Sequence, residues 1–80
     1  MCLAIPGKVV ELGQATPHLA VVEVAGVQRK VNVDLVREEG IEAGDWVLIN
    51  VGFAMSKISA AGAAEQMRML AMLGEEAASA

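Results

Sequence analysis

A chain of 80 residues forms one small domain, and at this size only a modest share of the unfolded surface can be buried, so stability is marginal. It is 55% hydrophobic with a net charge of −4, and its six basic residues are scattered from Lys8 to Arg68. Nucleic acids are therefore excluded as partners, because their binding rests on Lys and Arg neutralising phosphates and on stacking rings, of which Trp46 and Phe53 are the only two.

Cys2 comes first along the chain and is the only cysteine. It has no disulfide partner within the chain, no segment reads as a secretory leader, and no apolar run reaches the roughly 18 residues that span a bilayer. The expectation is a cytoplasmic protein with no membrane association. Trimming of the initiator methionine is expected to leave Cys2 terminal, its thiol and α-amine able to grip one metal ion together. A buried, unreactive cysteine is the competing reading, since free Cys is among the most buried residue types.

Four β-branched runs follow: "KVVEL" from Lys8, "LAVVEV" from Leu19, "VQRKVNV" from Val27 and "WVLINV" from Trp46. Each is bounded by turn residues and reads as a strand. In the third, Val31 and Val33 alternate with Gln28, Lys30 and Asn32, the period of a strand with one wet face. Gly13 to Pro17 form a turn that makes the first two strands antiparallel neighbours, and Ala25–Gly26 supply a tight hairpin. The segment "DLVREEGIEAGDW" breaks the pattern and reads as a surface excursion with one helical turn. Four or five short antiparallel strands this apolar would leave adhesive edges in an open sheet, so a small closed β-barrel is predicted.

In "VGFAMSKI", Gly52 interrupts the strand period and lets the backbone turn sharply, while Phe53 and Met55 flank Ala54. Phe53 is expected in the core and Met55 partly exposed. From Ser59, a good N-cap, to Gly74, a good C-cap, the Ala- and Met-rich chain reads as a helix. Its predicted barrel-facing side carries Ala63, Met67, Leu70 and Ala71, with Glu65, Arg68, Met69 and Met72 opposite. The domain thus divides into a barrel over residues 1–58, a packed helix over 59–73 and a frayed tail over 74–80.

Self-contained catalytic chemistry is not evident. His18, the only histidine, has no carboxylate beside it in the chain, and a Cys2–His18 dyad would lack an orienting group. Phosphate-loop and zinc spacings are missing too. A metal held by Cys2 would have to be shared with another protein, as a carrier would share it.

The opening "MCLAIPG" together with "GDWVLINVGFAMSKI", and "AGVQRKVNVDLV" between them, resembles the HypC/HupF family of hydrogenase maturation chaperones over nearly the whole chain. The resemblance implies an OB-like β-barrel with a C-terminal helix and a non-enzymatic role in assembling the nickel-iron hydrogenase active site. It implies two partners, the iron-sulfur scaffold protein HypD and the precursor of the hydrogenase large subunit. No permanent cofactor is implied, only transient iron with cyanide and carbon monoxide ligands, shared with HypD. By the same resemblance Cys2 is the metal-contacting residue, and Cys2, Leu3, Ile5, Pro6, Gly52, Phe53, Ala54 and Met55 meet the partners. Many members have a histidine directly before "VGFA"; Asn50 stands there instead, so a ligand role for that histidine does not transfer. A metal-free adaptor docking on HypD or on the large subunit is the alternative.

Overall fold

Alternation of β-branched and polar residues produces five strands: β1 (Ile5–Leu12), β2 (Leu19–Val24), β3 (Val27–Asn32), β4 (Trp46–Asn50) and β5 (Phe53–Ile58). A 3₁₀ helix (Asp34–Glu39) lies between β3 and β4, and α1 (Ala60–Ser79) follows β5. The computed structural model describes residues 4–13 and 16–79, with 73–79 described by their backbone alone. The strands close into a barrel in the order β1-β2-β3-β5-β4, an OB-like arrangement in which β1 pairs antiparallel with both β2 and β4. One junction departs from the expected antiparallel pairing. β3 and β5 run parallel and meet only at Asn32 and Phe53, where Asn32 N–H donates to the Gly52 carbonyl at 2.9 Å.

Both hairpins use the turn that suits strand twist. Ala25 and Gly26 have φ of 51° and 83°, and Val51 and Gly52 have 53° and 80°, the two positive values of a type I′ connection. A bulge after Val9 leaves Val10 as an extra residue, and the β1–β2 ladder resumes with Glu11 opposite Val21. Val9 N–H then donates to the Asp45 carbonyl at 2.8 Å, and Gly44 N–H to the Val9 carbonyl at 2.7 Å. Here β1, still paired with β2, also holds the loop that feeds β4.

Small side chains fill the interior: Val9, Ala20, Val22, Val31, Val33, Val47, Ile49 and Ala54 form one buried cluster. Val36, on the buried side of the 3₁₀ helix, joins that cluster and closes one mouth of the barrel. The expected single helical turn in the excursion is this plug. Asn32 Oδ1 accepts from Asp34 N–H at 2.9 Å and starts it. Nearby, Lys57 Nζ donates to the Gly40 carbonyl at 2.7 Å and lies 3.3 Å from Asp45 Oδ2, tying β5 to the same loop.

Ser59 caps α1 as expected, its Oγ accepting from Gly62 N–H at 3.0 Å. The helix does not stop at Gly74 but continues to Ser79. One internal Gly costs only about 1 kcal/mol relative to Ala, and the Leu, Glu and Ala around it favour helix. The predicted packing face is also shorter than expected. Ala63 is buried and Leu70 half-buried, but Met67 and Ala71 are exposed. A helix of 20 residues is about 30 Å long, and α1 touches chiefly β1 and β4, so its later turns run past the barrel. No helix of the described residues is long and apolar enough to cross a membrane.

Gly7, in the interior row of β1, leaves no room for a side chain. An added Cβ would sit 2.5 Å from Val22 Cγ1 and 2.7 Å from Ile49 Cδ1, interior side chains of the two strands paired with β1. Gly7→Ala is expected to lower stability by about 1–3 kcal/mol through overpacking, read from urea unfolding midpoints.

Candidate functional site

Strand register decides which side chains line the unplugged mouth of the barrel. Gly7 and Val9 face inward on β1, so Ile5 does too. Val22 faces inward on β2 and pairs with Arg29, while Val24 pairs with Val27, which puts Arg29 and Val27 on the interior side. Yet Ile5, Val27 and Arg29 are exposed. With Val24, Ile49, Val51 and Gly52 they line a groove of about 440 Å³. Its position follows from the barrel's one short junction: beyond Asn32 and Phe53, β3 has no ladder to β5, and the seam stays open beside Val27 and Arg29.

Val51 is the unusual residue of this rim. A β-branched side chain at φ 53° is a backbone outlier, and it is 84% exposed. Asn-Gly is the ordinary sequence for such a turn; Val-Gly spends strain to present an apolar side chain to solvent. Next to it, Phe53 is 45% and Met55 49% exposed. The expectation that Phe53 is core is therefore corrected. Ala54 is the residue of β5 that enters the barrel, where only a small side chain fits, and Phe53 is turned outward by alternation. Met55 is partly exposed as expected, being the extra residue where the β4–β5 pairing slips between Ala54 opposite Ile49 and Ser56 opposite Leu48.

The residues singled out from sequence fall into three groups. Ile5 and Gly52 line the groove, and Phe53 and Met55 are exposed on β5, the strand that leaves it. Pro6 and Ala54 are buried and offer no contact surface, so their assignment to the partner-meeting set is corrected to positioning. Pro6 lies on the outer side of β1, paired with Leu48, on the face that α1 covers. Cys2 and Leu3 lie outside the described residues. Val24, Val27, Arg29, Ile49 and Val51 were missed; the one sequence signal was a valine where a type I′ turn ordinarily has asparagine. Asn50 is half-buried and pairs with Phe53 across the turn.

A polar cluster occupies a different part of the surface. His18 Nδ1–H donates to Asp34 Oδ1 at 2.8 Å, and Arg37 Nη1 lies 3.6 Å from the same oxygen. The carboxylate that chain spacing failed to give His18 is thus supplied across the fold, 16 residues away. The His18 hydrogen bond holds the Asp34 carboxyl below the usual carboxylate range; His18 and Arg37 charge adds to this and desolvation opposes it. Asp45 is lowered likewise, first by the Glu42 N–H bonded to its carboxylate at 2.8 Å and then by Lys57. Among the described residues, no group of three or more His, Cys, Asp or Glu side chains converges as a metal cage.

The HupF/HypC family model matches residues 1–70. The chain is 48% identical over 77 residues to the hydrogenase maturation factor HypC of Rhodobacter capsulatus, covering 94% of this chain and 80% of that one. It is 49% identical over 61 residues to the hydrogenase maturation factor HybG of Escherichia coli K12, covering 72% and 73% of the two chains. A third relative, the Frd operon uncharacterized protein C of Proteus vulgaris, is 47% identical over 77 residues, covering 94% and 80%.

Two measurements check this surface. Val51→Asn puts a residue that tolerates positive φ into the turn, and thermal melts are expected to show stability raised by about 1 kcal/mol. Asp34 stabilises the fold above its unfolded pKa, and that contribution is lost as pH falls through the lowered folded value. Replacing His18 by Ala should raise the Asp34 titration toward the ordinary range, seen by NMR of its carboxyl carbon; an unmoved titration would mean that His18 does not set it.

Proposed function

The chain belongs to the HupF/HypC family, and we propose that it is a cytoplasmic hydrogenase maturation chaperone that carries iron bearing cyanide and carbon monoxide ligands. In this reading it receives the iron group from HypD and passes it to the precursor of the hydrogenase large subunit. The observation that carries the proposal is the extent of the family match, which takes in Cys2 and the whole Val51–Met55 turn together. The relatives named as hydrogenase maturation factors support it.

The chemistry asked of the chain is ligand exchange without a change of oxidation state. A cysteine thiol of ordinary pKa about 8.5 loses its proton when a metal binds, and the thiolate is a soft ligand suited to iron. On transfer the Cys2 sulfur–iron bond breaks, a ligand of the receiving protein takes its place, and the thiolate regains a proton. One ligand from a small carrier is enough to hold such cargo within a complex and too few to retain it alone. The exposed Phe53, Met55 and Val51, beside the groove, give the apolar surface against which each partner would close.

Cys2→Ser discriminates this reading from a metal-free adaptor. Serine is nearly the same size, but its hydroxyl is hardly ionised near neutral pH. The variant is expected to fold with stability changed by less than about 1 kcal/mol and to associate with HypD. Its complex should lack the cyanide and carbon monoxide infrared bands of the wild-type complex, and maturation should fail. Unaltered bands and normal maturation would assign the chain to the adaptor role.

A further inference from the structure

One edge of β3 is unpaired over most of its length. Bonded and non-bonded pairs alternate along an antiparallel ladder, and Val24 with Val27 is the bonded pair that closes the Ala25–Gly26 turn. Val27, Arg29 and Val31 therefore bond to β2, and the backbone N–H and C=O groups of Gln28, Lys30 and Asn32 point the other way. Asn32 N–H accordingly reaches the Gly52 carbonyl at 2.9 Å. Because β5 pairs with β3 at Asn32 alone, the backbone groups of Gln28 and Lys30 have no partner on that side among the described residues. We infer that this edge docks an extended segment of a partner protein, one that carries a carboxylate between apolar side chains and adds itself to β3 as a further strand.

The groove beside the edge, and its one charge, select that occupant. Side chains of an added strand alternate between faces, and those on the interior side enter the groove of about 440 Å³ among Ile5, Val27 and Val51. Arg29 is the only charged residue lining it, and among the described residues it forms no ion pair. Glu23, the only carboxylate on β2, stands opposite Lys8 and Gln28 on the outer side of the sheet. A carboxylate brought opposite Arg29 gains a charge-assisted pair that the described chain does not supply. A second copy is the poorer occupant. Two β3 edges paired antiparallel about Arg29 set Arg29 against Arg29, and like charges directly opposite are destabilising. The charge that blunts pairing with a copy leaves the edge open to an acidic strand.

The inference deepens the proposed function by naming how a partner is gripped, and it rests on that reading for the partner's existence. Its test uses neither iron nor hydrogenase, so the two fail separately. The probe is a blocked pentapeptide with valine at both ends, glutamate in the centre and threonine between them, which sets the glutamate opposite Arg29 and the threonines opposite Gln28 and Lys30. By NMR of the isotope-labelled full-length chain, the Gln28 and Lys30 amides are expected to exchange freely with solvent in the free protein. With peptide they should shift saturably and exchange more slowly. Glutamine in place of the peptide's glutamate, or Arg29→Gln in a protein whose melting curve is unchanged, should weaken binding about tenfold. N-methylation of the two threonines should abolish it. Slow exchange in the free chain would overturn the inference, because the edge would already be covered by a second copy or by the chain itself. So would the lack of a saturable shift at millimolar peptide, equal affinity for the glutamine peptide, or binding that N-methylation leaves intact.

Discussion

The narrowness of a five-stranded barrel's interior governs the rest of this molecule. Valine and alanine fill it, and at Gly7 even one further carbon would collide with Val22 and Ile49. A ring as large as that of Phe53 has no place inside. β5 therefore sends Ala54 inward and presents Phe53 and Met55 outward, and the bulge at Met55 preserves this arrangement where the pairing slips. The apolar surface proposed to meet partners is thus a direct consequence of how little the barrel can hold.

The same constraint separates the two mouths. Where β1 turns toward the loop before β4, the 3₁₀ helix delivers Val36 into the core, and Lys57, Asp45 and the Gly40 carbonyl fasten the surrounding chain. At the opposite mouth the barrel depends on a single parallel pairing between Asn32 and Phe53, and both hairpin turns converge on an open groove. Backbone strain at an exposed position persists only where the surroundings over-determine it, and the Val51–Gly52 turn is held between paired strands that do so.

Much of the fold was legible because period-two alternation and glycine-bearing turns are local signals. The four β-branched runs, the Ala25–Gly26 hairpin, the helical turn in the excursion and the Ser59 cap all stand as read. What escaped was set by non-local geometry. The parallel contact of β3 with β5 follows from barrel closure, and the link from His18 to Asp34 crosses two strands. Phe53 read as core because large apolar residues usually are, and only the barrel's width reverses that expectation. For the site, family resemblance pointed to Gly52, Phe53 and Met55. Val27 and Arg29 could not be joined to them without the register that brings the start of β3 beside the β4–β5 turn.

The carrier role proposed for this chain, serving two proteins in succession, sets opposing demands. Its docking surface must be apolar enough to exclude water from a metal–thiolate bond, yet small enough to release, since transient encounters sit at the low end of interface area. A wide hydrophobic face would meet the first demand and fail the second, and would also aggregate in the free protein. A groove rimmed by Ile5, Val27 and Val51, with Phe53 and Met55 exposed on the strand that follows, satisfies both.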